Sequence, residues 1–229
     1  MAYTHRFTDG SPCNLTPGKV VCVGRNYAEH AKELNNPIPS SPLLFMKPAS
    51  ALAELGEPLQ IPWGLGTCHH ELELALLIGR PLKGADAAEV MSAVVGYGLA
   101  LDLTLRDLQS SLKSKGHPWE RAKAFDGACP LSGFLPAGAV TDWRGLQLRL
   151  RRNGQPQQQG NCRDMLFPLD ELLSNISQTF TLSPGDVVIT GTPPGVGPLY
   201  PGDVLKAEIV GLLSVDTRVA HLAASGETP

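Results

Sequence analysis

The run from His69 to Gly79, HHELELALLIG, constrains the fold of this chain more than any other stretch. Its residues alternate as in a β-strand, where successive side chains point to opposite faces. Leu72, Leu74 and Leu76 therefore share one face, and Glu71 and Glu73 share the other. The run continues into Leu76, Leu77 and Ile78, which read as interior and draw the carboxylate face toward the core. Two carboxylates side by side near a core repel each other and resist desolvation. An edge strand facing water carries the same pattern without consequence. A divalent cation between the carboxylates removes both penalties, and hard cations such as Mg2+ take oxygen ligands. The residues of this run leave both readings open.

A third carboxylate lies further on. Residues 94–101 read as a buried strand ending at Asp102, and residues 103–109 as the start of a helix. Asp at such a junction is a favoured N-cap. Arg106 follows four residues after Asp102 and Gln109 three after that, so on a helix the three share a face. An acid, a base and an amide converging beside a strand end also look like a site.

Other groups carry weaker signals. A short polar helix is expected over 25–34, where His30 and Glu33 stand three apart and face the same way. A carboxylate beside a histidine fixes its tautomer and supports an imidazolium, as a general base requires, although surface pairs share this spacing. Pro37, Pro39 and Pro42 make a stiff, non-helical loop behind that helix. Lys47 ends a strand before Pro48, and Lys123 lies in a polar stretch, 110–130, expected to be irregular. The loop Thr190-Gly191-Thr192-Pro193-Pro194-Gly195 lacks the Gly-Lys-Ser/Thr ending of a phosphate loop, though the amide and hydroxyl of Thr192 suit an anion. His69-His70-Glu71 is no zinc-protease motif, because no histidine stands four residues after the first.

Composition excludes several classes. A net charge of −3 offers no basic field for nucleic acid, and no apolar run approaches bilayer-spanning length. The five cysteines are scattered without a Cys-x-x-Cys pair, which predicts free thiols in a reducing, cytoplasmic setting. With 24 glycines and 20 prolines, turns are frequent and elements short, favouring a β-rich architecture. No composition break divides the chain, so one domain is expected over 1–229, with 1–18 as an N-terminal extension or edge segment.

Taken together, these residues resemble the fumarylacetoacetate hydrolase family, in its short branch of acylpyruvases and oxaloacetate decarboxylases. The resemblance rests on Gly24-Arg25-Asn26-Tyr27 with His30, Lys47-Pro48-Ala49-Ser50, Glu71-Leu72-Glu73-Leu74, Gly98 to Asp102 with Arg106 and Gln109, and Thr190-Gly191-Thr192-Pro193. It implies an α+β, β-rich fold, a mixed β-sandwich roll with short helices, assembled as a homodimer. It implies that Glu71, Glu73 and Asp102 hold one Mg2+ or Mn2+, and that His30 and Glu33 activate water. It further implies Lys123 as an active-site lysine, with Arg25, Lys47, Arg106, Gln109 and Thr192 lining a site for a small 2-oxo acid. The implied activity is hydrolysis of a C–C bond in acylpyruvates such as fumarylpyruvate or acetylpyruvate, with oxaloacetate decarboxylation on the same site. An isomerase or decarboxylase of 2-hydroxyhepta-2,4-diene-1,7-dioate would use the same metal site. A non-catalytic, metal-stabilised binding domain would also cluster carboxylates, but it needs no base beside the ion.

Overall fold

The computed structural model describes residues 3–62 and 64–221. The chain opens with strand β1 (Val20–Gly24), helix α1 (Ala28–Glu33) and strand β2 (Leu43–Lys47). Short strands β3 (Leu52–Glu54), β4 (Leu59–Ile61) and β5 (Cys68–His70) lead to the long pair β6 (Leu72–Ile78) and β7 (Val94–Leu101), with helix α2 (Ala87–Val90) between them. Strand β8 (Thr104–Leu105), helices α3 (Arg106–Ser114) and α4 (Glu120–Lys123), and strands β9 (Cys129–Leu131) and β10 (Leu135–Pro136) follow. The remainder holds β11 (Gln147–Arg152), β12 (Gln155–Asn161), helix α5 (Leu169–Thr179), β13 (Val187–Ile189), β14 (Gly197–Pro198), β15 (Val204–Ile209) and β16 (Leu213–His221).

The architecture is α+β and strand-rich, with mixed sheets and short helices. The main sheet runs β2-β1-β13-β6-β7-β9-β3, with β10 beside β7. A second runs β12-β11-β15-β16-β4, and a small third runs β14-β5-β8. The β1–β13 pairing is parallel and joins Val20 to Val187, whereas β6 is antiparallel to both β7 and β13.

Strand β6 shows how the layers fit. Leu72, Leu74, Leu76 and Ile78 pack in one core with Leu148, Leu150, Leu205 and Ile209 of the second sheet. Ala75 and Leu77 pack in another, with Val20, Cys22, Ala100, Ile189 and Phe134. The alternation expected for this strand is present, but neither face meets water, so the solvated-edge reading fails. The strand is also shorter than expected. Glu71 lies between β5, which pairs with β8 and β14, and β6, which pairs with β7 and β13. The chain thus crosses from the small sheet to the main sheet at Glu71.

Three local expectations change. The helix over 25–34 begins only at Ala28, because Arg25 stands at φ 59°, in the left-handed region. Asp102 caps no helix: β8 intervenes, and α3 starts at Arg106 with Leu105 in the cap position. The stretch 110–130 is not irregular, since it carries the end of α3, all of α4 and the start of β9. The Asn153-Gly154 turn joins β11 to β12 with both residues at positive φ, 52° and 76°, as a two-residue type I′ hairpin requires. Among the described residues, no helix is long and apolar enough to cross a membrane.

Leu74 is fully buried at the centre of the core between the two larger sheets. Leu74→Ala is expected to lower stability by about 2–5 kcal/mol. Urea unfolding should show this as a lower midpoint at an unchanged slope.

Candidate active site

The crossing at Glu71 assembles three acids. Glu73 lies opposite Ala100 and Leu72 opposite Leu101, so Asp102, one residue past the end of β7, falls beside Glu71. The Asp102 N–H donates to the Glu71 carbonyl at 2.8 Å and fixes the two backbones together. Carboxylate oxygens of Glu71, Glu73 and Asp102 lie within 4.8 Å of one another, and all three residues are buried.

Cations meet two of the three acids. Lys123 Nζ donates to Glu71 Oε2 at 2.9 Å and to Asp102 Oδ2 at 2.6 Å. Arg106 donates to Glu71 Oε1 through Nη2 and to Gln109 Oε1 through Nη1, the latter at 2.8 Å. Burial pushes the Glu71 carboxyl up, but Lys123 and Arg106 outweigh it and hold the group well below the usual carboxylate range. Burial likewise pulls Lys123 down, and Asp102 and Glu71 outweigh it, keeping the ammonium charged.

Glu73 differs. It accepts the Gly191 N–H at 2.7 Å but, among the described residues, pairs with no cation. Burial, then the charges of Asp102 and Glu71, push its carboxyl well above the usual range. Asp102 Oδ1 is buried without a hydrogen bond. Lys47 Nζ lies 2.8 Å from it, outside hydrogen-bond geometry, and donates instead to the carbonyls of Ala128, at 3.0 Å, and Lys123. Three converging buried carboxylates, one of them an acid with no cationic partner, fit a hard divalent cation.

Above the triad lies a small, partly open cleft. Arg25, His30, Arg106, Gln109, Lys123 and Thr192 line it together with the three carboxylates. His30 is 5% exposed, and its Nδ1 lies 3.3 Å from Glu33 Oε2. Glu33 is itself held by the Gly195 N–H at 3.1 and 3.2 Å.

Two expected contacts are placed differently. Lys47 is fully enclosed and closes the underside of Asp102 instead of lining the cleft. The Thr192 hydroxyl donates to the Leu72 carbonyl at 2.8 Å, so its proton is not free for an anion. Burial pushes the Cys68 thiol up to about 12, as suits a packed thiol. The sequence reading passed over Lys113, which lines the cleft from α3, and Gln158, which is buried behind it. Lys113 carries no signal beyond its spacing of seven from Arg106, two turns along the same helix face.

Comparison with known proteins gives this geometry a context. Residues 19–220 match the family described as fumarylacetoacetate (FAA) hydrolase, C-terminal. The chain belongs to the fumarylacetoacetate hydrolase family. It is 50% identical over 218 residues to the oxaloacetate tautomerase YcgM of Escherichia coli K12, covering 95% of this chain and 99% of that protein. It is 46% identical over 198 residues to a mitochondrial oxaloacetate decarboxylase of Dictyostelium discoideum, covering 86% and 91%. A fumarylpyruvate hydrolase from Pseudomonas aeruginosa, solved in complex with Mn2+ and pyruvate, superimposes with a TM-score of 0.91 at 34% identity over 97% of each chain.

A carboxyl whose pKa is raised on folding favours the folded state below its ordinary value and opposes it as pH rises. Glu73, raised from 4.5, therefore destabilises the protein at neutral pH when no cation is bound. Glu73→Gln is expected to raise Tm in EDTA at pH 7–8, by about 2–4 °C per kcal/mol of burial and repulsion penalty removed. The difference from wild type should vanish below about pH 4. Thermal unfolding across that pH range checks both signs.

Proposed function

We propose that this chain is a divalent-cation-dependent enzyme acting on small 2-oxo acids through a C2–C3 enolate, and that keto–enol tautomerisation of oxaloacetate is its reaction. One observation carries the reading: the acid triad forms the floor of a cleft that His30 also lines. Its 50% identity to an oxaloacetate tautomerase over nearly both full lengths supports the choice of reaction.

Glu71, Glu73 and Asp102 would hold Mg2+ or Mn2+, which supplies Lewis-acid stabilisation for negative charge on the 2-oxo group. Tautomerisation moves one proton from C3 of the substrate to its C2 oxygen. Glu33 engages His30 Nδ1, leaving Nε2 as the nitrogen free to accept the C3 proton. As the C3–H bond breaks, its electron pair forms the C2–C3 double bond and charge moves onto the C2 oxygen. Glu33 steadies the imidazolium, and the Lys123 ammonium faces the developing charge. The proton is then returned at the C2 oxygen. Arg106 lines the cleft with its guanidinium oriented by Gln109, which suits it to a substrate carboxylate. Arg25 and Lys113 add further positive charge at the cleft wall.

Acylpyruvate C–C hydrolysis is the second reading, favoured by the likeness to the Mn2+- and pyruvate-bound fumarylpyruvate hydrolase. In that reaction His30 would take its proton from water instead of C3. The two readings separate in parallel assays of oxaloacetate enol loss and of pyruvate release from fumarylpyruvate, each with Mg2+ and with chelator. Enol loss faster than the metal-only rate and abolished by EDTA is the expected result. His30→Ala should lower kcat by about 10²–10⁴-fold. Full activity in the chelated enzyme would sink the metal reading, and release of pyruvate without enol turnover would favour the hydrolase.

A further inference from the structure

Residues 155–159 read QPQQQ, the composition of a solvated strand, and Gln155 and Gln159 are indeed exposed. Gln158 is 1% exposed. Its Oε1 accepts from the Leu72 N–H at 2.9 Å and pairs with His70 Nδ1 at 2.9 Å. Its Nε2 donates to Thr192 Oγ1 at 2.7 Å and to the Pro193 carbonyl at 2.9 Å. The backbone partners fix the amide orientation: its oxygen must face an N–H and its nitrogen a carbonyl. A bulge brings the side chain inward. Leu150 faces Gln158 and Arg151 faces Pro156, so Gln157 is the extra residue in the hairpin.

Of the four partners, His70, Leu72 and Pro193 surround the cleft, and Thr192 lines it. His70 and Leu72 are the chain neighbours of Glu71, which lies outside both strand ladders. Thr192 and Pro193 belong to the loop whose Gly191 amide holds Glu73 and whose Gly195 amide holds Glu33. Thr192 Oγ1 closes the circuit by donating to the Leu72 carbonyl.

We infer that Gln158 is a positioning residue for both the acid triad and the His30–Glu33 pair. Its acceptor arm fixes Glu71 by holding the residues on either side. Its donor arm fixes the loop that orients Glu73 and Glu33. This rests on the metal-binding reading above. Residues that orient ligands in this indirect way typically contribute about 10–100-fold to metal affinity or activity.

The test is Mn2+ binding to EDTA-stripped protein, followed by electron paramagnetic resonance, with thermal unfolding and oxaloacetate turnover measured on the same samples. Gln158→Met keeps the length and removes both arms. It should raise the Mn2+ Kd and lower kcat, each by about tenfold or more, in protein still folded at the assay temperature. Gln158→Glu keeps the acceptor oxygen and removes the NH2 group. It should leave the Mn2+ Kd within about threefold of wild type while kcat falls about tenfold, a split that general loosening of the fold would not produce. Folded Gln158→Met protein that binds Mn2+ as tightly as wild type overturns the inference. If that variant does not fold, wild-type kcat in Gln158→Glu overturns it. Wild-type protein that binds no Mn2+ overturns the metal reading first, and this inference with it.

Discussion

Three carboxylates with oxygens inside 4.8 Å, all shielded from water, are the constraint around which the structure is arranged. Such a cluster opposes folding unless positive charge is brought to it. Lys123 and Arg106 reach it from separate short helices, and Lys47 approaches Asp102 from below at the end of β2. Removing one partner of a buried pair commonly costs about 3–5 kcal/mol, because the other charge stays uncompensated. The same contacts therefore shape the cleft floor and hold together segments more than fifty residues apart, as with Glu71 and Lys123. Glu73, left without a cation, marks where the protein's own charges stop and a bound ion's would begin.

The 190–195 loop supplies the other half of the arrangement through its backbone. Gly191 and Gly195 stand at φ 94° and 95°, in the left-handed region, and a β-carbon at Gly195 would collide with the Gln157 carbonyl. The two prolines between Thr192 and Gly195 remove N–H donors from the middle of the loop. The amides that remain on either side meet Glu73 and Glu33. A loop that resembles a failed phosphate cradle instead directs its N–H groups at the protein's own acids.

The sequence made the acids legible because charge in an apolar, alternating run conflicts with burial, and that conflict is visible without a fold. The Asn153-Gly154 hairpin was legible because two left-handed residues admit few side chains. Asp102 was readable as a functional group but not as a conformation: a local rule favours Asp as a helix cap, and the long-range pull of Lys123 and Lys47 replaced it. Lys123 stood in apparent disorder because α4 is four residues long, too short to show a helical period. Lys47 is a cleft residue only by the family resemblance, and the packing of β2 against Asp102 turns it beneath the site. Gln158 left no trace, since nothing in QPQQQ distinguishes the one glutamine that a bulge turns inward.

The parallel pairing of β1 with β13 joins residues 20–22 to residues 187–189. The acids, the dyad and the loop amides depend on contacts of comparable separation, between residues 33 and 195 or 73 and 191. Contacts that span so much chain form late, because the entropy of closing the intervening loops must be overcome before they are rewarded. A nascent or partly refolded chain can therefore gain its local hairpins while still having no site at all. Recovered catalysis would report completion of the whole topology, lagging behind the return of secondary structure.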